Sequence, residues 1–210
     1  MNPAEPVIVI HGLWMRGLVM SLLARRIAQE GFAAQTWSYP TLRRSLAENA
    51  ERLARHCLAL AAPRVHIVAH SMGGLVALRM LEQHHELRCG RLVLVGTPYG
   101  DSFSARRLAR FPGGTTLLGR SIREWLSGPR PLPRGDTEIG IIAGTRGFGL
   151  GQLVAPDLPQ PNDGVVTLQE TVVPGVTERV ELAVGHTGML LSRAVARQCS
   201  AFLRHGRFAA

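Results

Sequence analysis

The chain has 210 residues, 46% of them hydrophobic and 19% charged, which suits one soluble domain with a core of its own. The net charge of +9 is carried by arginine spread along the chain. No basic block with interleaved aromatics is present, so the charge points to a solvated surface rather than to nucleic acid, and contact with an anionic membrane surface stays open. Three scattered cysteines, Cys57, Cys89 and Cys199, fall in no metal-binding spacing and offer no disulfide framework.

The opening "MNPAEPVIVIHG" lacks a basic run, a long apolar run and a cleavage site, and no stretch approaches the ~20 apolar residues of a membrane span. Both favour the cytoplasm. "PVIVIHG" (6–12) then reads as a buried strand ending in glycine. Residues 17–31 put Leu18, Leu22, Leu23 and Ile27 on one helical face and stop at Gly31. "FAAQTWSYP" (32–40) is a second strand. The next helix opens on Ser45 and Glu48 in capping-box spacing and runs to about residue 61.

A strand at 64–69 turns at Ser71 directly into a helix that reaches about His84. Further strands follow at 91–98, 137–144 and 177–185, and an amphipathic helix at 189–205 closes the chain. Strands alternating with helices predict βαβ units: an α/β fold of about six mainly parallel strands, with helices on both faces. Residues 99–136 and 144–164 break this rhythm with glycine and proline. The first is expected to be a small helical insertion or lid, and both to be functional loops.

Strand, turn and helix put Ser71 at the carboxyl edge of the sheet, where ligands bind in open α/β folds. A tight bend there needs small neighbours two positions either side, and these are Ala69 and Gly73. "AHSMGG" thus resembles the nucleophile elbow of the α/β-hydrolase superfamily, with Ala69 in place of the first glycine, as in small bacterial lipases and esterases. "VIVIHGLW" resembles that superfamily's strand ending in His-Gly, whose following amide completes the oxyanion hole. The resemblance therefore implies a hole made by the backbone N–H groups of Leu13 and Met72. "GTPYGDS" (96–102) resembles the segment after the elbow helix.

His186, in "AVGHTGML", follows the last strand and precedes the last helix, where the superfamily keeps its general base. His11 is expected to brace its loop, and His66 to lie in the core or at the sheet edge. His56, His84, His85 and His205 are read as solvated. The acid should lie between Ser71 and His186. Asp163, in "QPNDGVVT", resembles the Asn-Asp-Gly segment of bacterial lipases, and it is also ordinary turn chemistry. Asp157 lies in the same loop, while Asp136 and Glu138 precede a strand and fit less well.

These residues imply a serine hydrolase that cleaves carboxylic esters through an acyl-enzyme, with a Ser71–His186–Asp163 triad and no metal or organic cofactor. Trp14, Met15, Phe103 and Trp125 are the substrate-binding expectations, for a small-molecule ester or lipid. The arginines of 99–134 are available to an interface, or else that segment is an ordinary packed insertion with a wet face. Two other functions stay open: an acyltransferase or thioesterase on the same triad, and a non-catalytic hydrolase fold used for binding.

Overall fold

The computed structural model describes residues 5–132, 137–149, 151–176 and 178–210. Asp136 and Thr177, the first residue of the expected sixth strand, lie outside the described residues. The elements in order are β1 (Pro6–Ile10), α1 (Ser21–Gln29), β2 (Ala33–Trp37), α2 (Leu46–Ala59), β3 (Val65–His70), α3 (Met72–Gln83) and β4 (Cys89–Val95). There follow α4 (Phe103–Ala109), α5 (Gly114–Ser127), β5 (Glu138–Gly144), α6 (Gly151–Val154), β6 (Arg179–Leu182) and α7 (Arg193–His205). The six strands form one sheet in the order β2-β1-β3-β4-β5-β6. Every pairing in it is parallel.

Period-two alternation sends each strand's side chains to two cores. Ile8, Ile10, Ile67, Ala69, Leu92 and Leu94 pack on the face of α2, α3 and α5. Val7, Val9, Val68, Val93 and Val95 pack on the face of α1 and α7. Both faces are covered, so the strands read as continuous apolar runs rather than as polar–apolar alternation.

Local signals explain most boundaries. The Ser45–Glu48 capping box closes the start of α2: Ser45 Oγ accepts from the Glu48 N–H at 3.1 Å, and Glu48 Oε2 accepts from the Ser45 N–H at 2.7 Å. The expected helices at 17–31 and 189–205 each begin instead with a 3-10 turn, Gly17–Met20 and Gly188–Leu191. In both places the chain tightens while leaving the sheet edge, before the α-helix proper starts.

The insertion after β4 is α4 and α5. Gly119 interrupts α5 with φ 71°, where a Cβ would meet the Leu42 backbone at 2.5 Å. The second half of α5 is tied to the start of α2. Glu124 accepts from the Leu46 N–H at 2.7 Å, and Asn49 donates to Ser121 Oγ at 3.0 Å.

One topological fact positions the site. From β1 the chain moves outward to β2, whereas from β3 it moves the opposite way to β4. The carboxyl ends of β1 and β3 therefore diverge into connections on opposite sides, and the crevice between them is where open α/β sheets take their ligands.

Candidate active site

Ser71 stands at that switch point with φ 54° and ψ −126°, a conformation a non-glycine residue holds only when its surroundings impose it. Its N–H donates to the Val95 carbonyl at 2.9 Å. Its carbonyl accepts from the Gly74 N–H at 2.9 Å and from the Thr97 hydroxyl at 3.1 Å. The bend also brings α3 against the end of β1. A Cβ on Gly73 would lie 2.6 Å from the His11 carbonyl oxygen, so no larger residue fits without moving one of the two backbones.

His11 holds the loop after β1. The Tyr39 N–H donates to His11 Nε2 at 3.3 Å, which leaves Nδ1–H to donate to the Gly12 carbonyl at 2.9 Å. The Tyr39 ring stacks on the imidazole at 4.6 Å, and its hydroxyl donates to the His11 carbonyl at 2.9 Å. Burial lowers the His11 pKa, so the ring is a neutral brace. Gly12 follows, so close to the elbow that a Cβ there would sit 2.9 Å from the Ser71 Cβ. The next residue, Leu13, and the first residue of α3, Met72, line one pocket with Ser71. Met72 occupies the first turn of a helix, where N–H groups have no partner within the helix.

His186 comes from the loop after β6. Its Nδ1 lies 2.7 Å from Asp163 Oδ2, and its backbone N–H donates to the Asp163 carbonyl at 2.8 Å. The other carboxylate oxygen of Asp163 accepts from the N–H groups of Val165 at 3.0 Å and Val166 at 2.7 Å. Both side chains are almost fully buried. A neutral imidazole that gives Nδ1–H to this carboxylate carries its lone pair on Nε2. Asp157, in the same long loop, is instead paired with Arg107 at 2.7 Å on the surface.

Ser71 and His186 line the same pocket. Among the described residues no hydrogen bond joins the Ser71 hydroxyl to His186. His70, wholly buried, supports the His186 loop by donating Nε2–H to the His186 carbonyl at 3.1 Å. Its pKa is pushed well below the ordinary histidine value, first by burial and then by the charge of His186.

The pocket has a volume of about 160 Å³. Trp14 and Met15 line it. Leu108 of α4 and Leu118 and Ile122 of α5 form one wall, and Val154, Val165 and Val166 form another. Two expectations land elsewhere. Phe103 faces a neighbouring groove shared with Arg106, Arg107 and Asp157. Trp125 is wholly buried under α5, with Arg130 stacked 4.5 Å from its ring centroid, because the apolar stripe of an anchored helix turns toward the core. The wall at Val154, Val165 and Val166 was missed. The paired valines directly after Asp163-Gly164 are the one sequence signal that could have marked it. Trp14 also spans the pocket mouth, donating Nε1–H to the Leu117 carbonyl at 2.8 Å.

Residues 7–198 match the family described as "Alpha/beta hydrolase family". A comparison with curated proteins finds no match. Among solved structures, the mature lipase BlEst2 of Bacillus licheniformis superposes with a TM-score of 0.77 at 18% identity, covering 97% of this chain and 92% of that one. The esterase EaEST of Exiguobacterium antarcticum gives 0.64 at 15% identity over 97% and 93%. A bromoperoxidase of Bacillus anthracis gives 0.61 at 14% identity over 92% and 88%. At such identities these likenesses speak for the fold, and the different chemistries in the three names show that this fold does not by itself select one.

Proposed function

The chain belongs to the alpha/beta hydrolase family, and from that premise we propose that it is a serine hydrolase acting on carboxylic esters, with Ser71 as nucleophile, His186 as base and Asp163 as its partner. One observation carries this reading. The imidazole held at 2.7 Å by a buried carboxylate lines the same pocket as a serine on a strained strand-to-helix turn. The lipase and esterase named among the structural neighbours belong to the same reaction class.

In this reading His186 Nε2 takes the Ser71 proton while Oγ bonds to the ester carbonyl carbon. The carbonyl oxygen becomes an oxyanion held by the N–H groups of Leu13 and Met72. Collapse breaks the bond to the alcohol, which leaves with the proton from His186. Water then gives a proton to His186 as its oxygen attacks the acyl-enzyme. The second collapse releases the acid and returns the proton to Ser71. Asp163 orients the ring and stabilises the imidazolium throughout.

Pocket size narrows the substrate. An engineered apolar cavity of about 150 Å³ holds benzene. The cavity of about 160 Å³ beside Ser71 accordingly suits a small acyl or aryl group, with α4 and α5 acting as a cap over it. Hydrolysis of p-nitrophenyl esters of increasing chain length tests this. Rates should peak at acyl groups of up to about six carbons, the size of that benzene, and vanish in Ser71→Ala. A folded Ser71→Ala that keeps the wild-type rate would overturn the reading.

A further inference from the structure

Most of the large apolar side chains left in solvent lie on connections that follow the carboxyl ends of strands. Among the described residues, eight large apolar side chains are more than half exposed, and seven of them lie beyond the carboxyl ends of strands. Trp14 and Leu18 follow β1, Phe111 and Leu117 follow β4, Phe148 and Leu153 follow β5, and Leu191 follows β6. Leu58, near the end of α2, is the exception. Scattered apolar exposure is ordinary, but seven such side chains on the connections that leave the carboxyl ends of strands, one of them lining the Ser71 pocket, make a set.

Cationic side chains are interleaved with this set. Arg16 sits between Trp14 and Leu18, Arg110 precedes Phe111, Arg146 lies two residues before Phe148, and Arg193 two after Leu191. All four are exposed, and none forms an ion pair among the described residues. Their acidic neighbours are already engaged. Asp101 pairs with Arg106, Asp157 with Arg107 and Glu48 with Arg120, while Asp163 and Glu170 are buried. The rim is therefore apolar at its tips and positive between them.

We propose that this face docks on an anionic phospholipid surface, its apolar tips entering the boundary of the acyl chains and the four arginines engaging lipid phosphates. Guanidinium groups match phosphate oxygens in a two-point fork, and apolar tips gain only where water is excluded, a pairing of needs that a headgroup layer meets. A free phosphate would leave the tips without a partner. No helix among the described residues is long and apolar enough to cross a membrane, so the contact is peripheral. Because Trp14 belongs both to the rim and to the pocket lining, an ester dissolved in the lipid would reach Ser71 directly. The inference extends the esterase reading without resting on turnover, so Ser71→Ala should bind lipid as the unaltered protein does.

Co-sedimentation with vesicles of phosphatidylcholine, alone or mixed with phosphatidylglycerol, tests it. Binding should strongly prefer the mixed vesicles. Arg110→Glu with Arg193→Glu, or Leu18→Ser with Leu191→Ser, should each weaken it by about tenfold or more, since each basic residue at a charged surface contributes roughly a fivefold factor and its reversal more. Both double variants should keep the wild-type Tm and the wild-type rate on a water-soluble ester. Arg64→Glu with Arg88→Glu, at the opposite edge, should leave binding nearly unchanged. Brominated acyl chains should quench the tryptophan emission of the unaltered protein, and Trp14→Phe should remove most of that quenching. Equal loss from the two arginine pairs would reduce the effect to net charge and overturn the proposal. So would indifference to the leucine changes, absence of binding to either vesicle, or a dimer in lipid-free buffer that the leucine changes dissolve.

Discussion

His186 and Asp163 are joined twice, ring to carboxylate at 2.7 Å and backbone N–H to backbone carbonyl at 2.8 Å. The second bond fixes the loop, so the first can be altered while the loop stays in place. Asp163→Asn keeps an oxygen for the Val165 and Val166 N–H groups but loses the acceptor that selects the Nδ1–H tautomer. Its kcat should fall on the order of 10²–10⁴-fold with little change in Tm. A kcat within twofold of wild type would remove Asp163 from the mechanism.

Gly12 and Gly73 make a sharper test of the oxyanion geometry, because their crowding is with the elbow and the loop it abuts. A Cβ at Gly12 would lie 2.9 Å from the Ser71 Cβ, and one at Gly73 2.6 Å from the His11 carbonyl oxygen. Either alanine variant should spread Leu13 from Met72 and lower kcat by about 10²-fold or more, the scale of one lost oxyanion donor. Tm should drop by only a few degrees in Gly12→Ala, where the methyl meets the elbow, and further in Gly73→Ala, whose Cβ would also lie 3.0 Å from Ile10 Cγ2 in the core. Full activity in Gly12→Ala would mean that the loop after β1 takes no part.

Acid should destabilise the fold through its buried histidines. Burial, and then the charges of His186 and His11, lower the pKa of His70; burial also lowers those of His11 and His66. The unfolded chain therefore binds more protons than the native one at mildly acidic pH. Stability from these rings is complete above the ordinary histidine value of about 6.5 and is lost as pH falls below it. Urea unfolding at pH 7.5 and pH 5 should show this loss, and His70→Asn should make it smaller. The same pH dependence in both proteins would assign the loss to other groups.

The pocket wall gives a prediction about specificity. Leu108 is half-buried against the cavity, so Leu108→Ala should lengthen the available space and shift the preferred p-nitrophenyl ester toward longer acyl groups. Trp125→Ala should not shift that preference. It should instead cost about 3–5 kcal/mol of stability, as loss of a buried aromatic side chain does. A changed chain-length profile in Trp125→Ala, with wild-type stability, would restore that residue to the pocket.

The parts of this fold that could be read in advance are those governed by local rules. Apolar runs between glycines located the strands, and Ser45 with Glu48 marked the start of α2. Ser71 declared itself because a strand-to-helix bend leaves room only for small residues such as Ala69 and Gly73. His186 and Asp163, which lie 115 and 92 residues beyond Ser71 in the numbering, were legible through family resemblance and not through spacing. What stayed hidden depends on packing between loops that have no period. Beyond the paired valines after Asp163-Gly164, nothing local to residues 151–166 says that Val154 joins Val165 and Val166 in walling the cavity. Nor does the stripe of α5 say whether Trp125 turns to substrate or core; its anchoring to α2 through Glu124 and Ser121 decides that.

Covalent labelling with a fluorophosphonate, followed by mapping of the modified peptide, addresses the central claim most directly. The reagent bonds only to a serine whose proton a neighbouring base removes and whose developing oxyanion is held. The adduct is expected on Ser71 alone, lost in His186→Ala and slowed in Gly12→Ala. An adduct on a different serine, or no adduct on a folded and monodisperse protein, would contradict the assignment of Ser71 as a nucleophile.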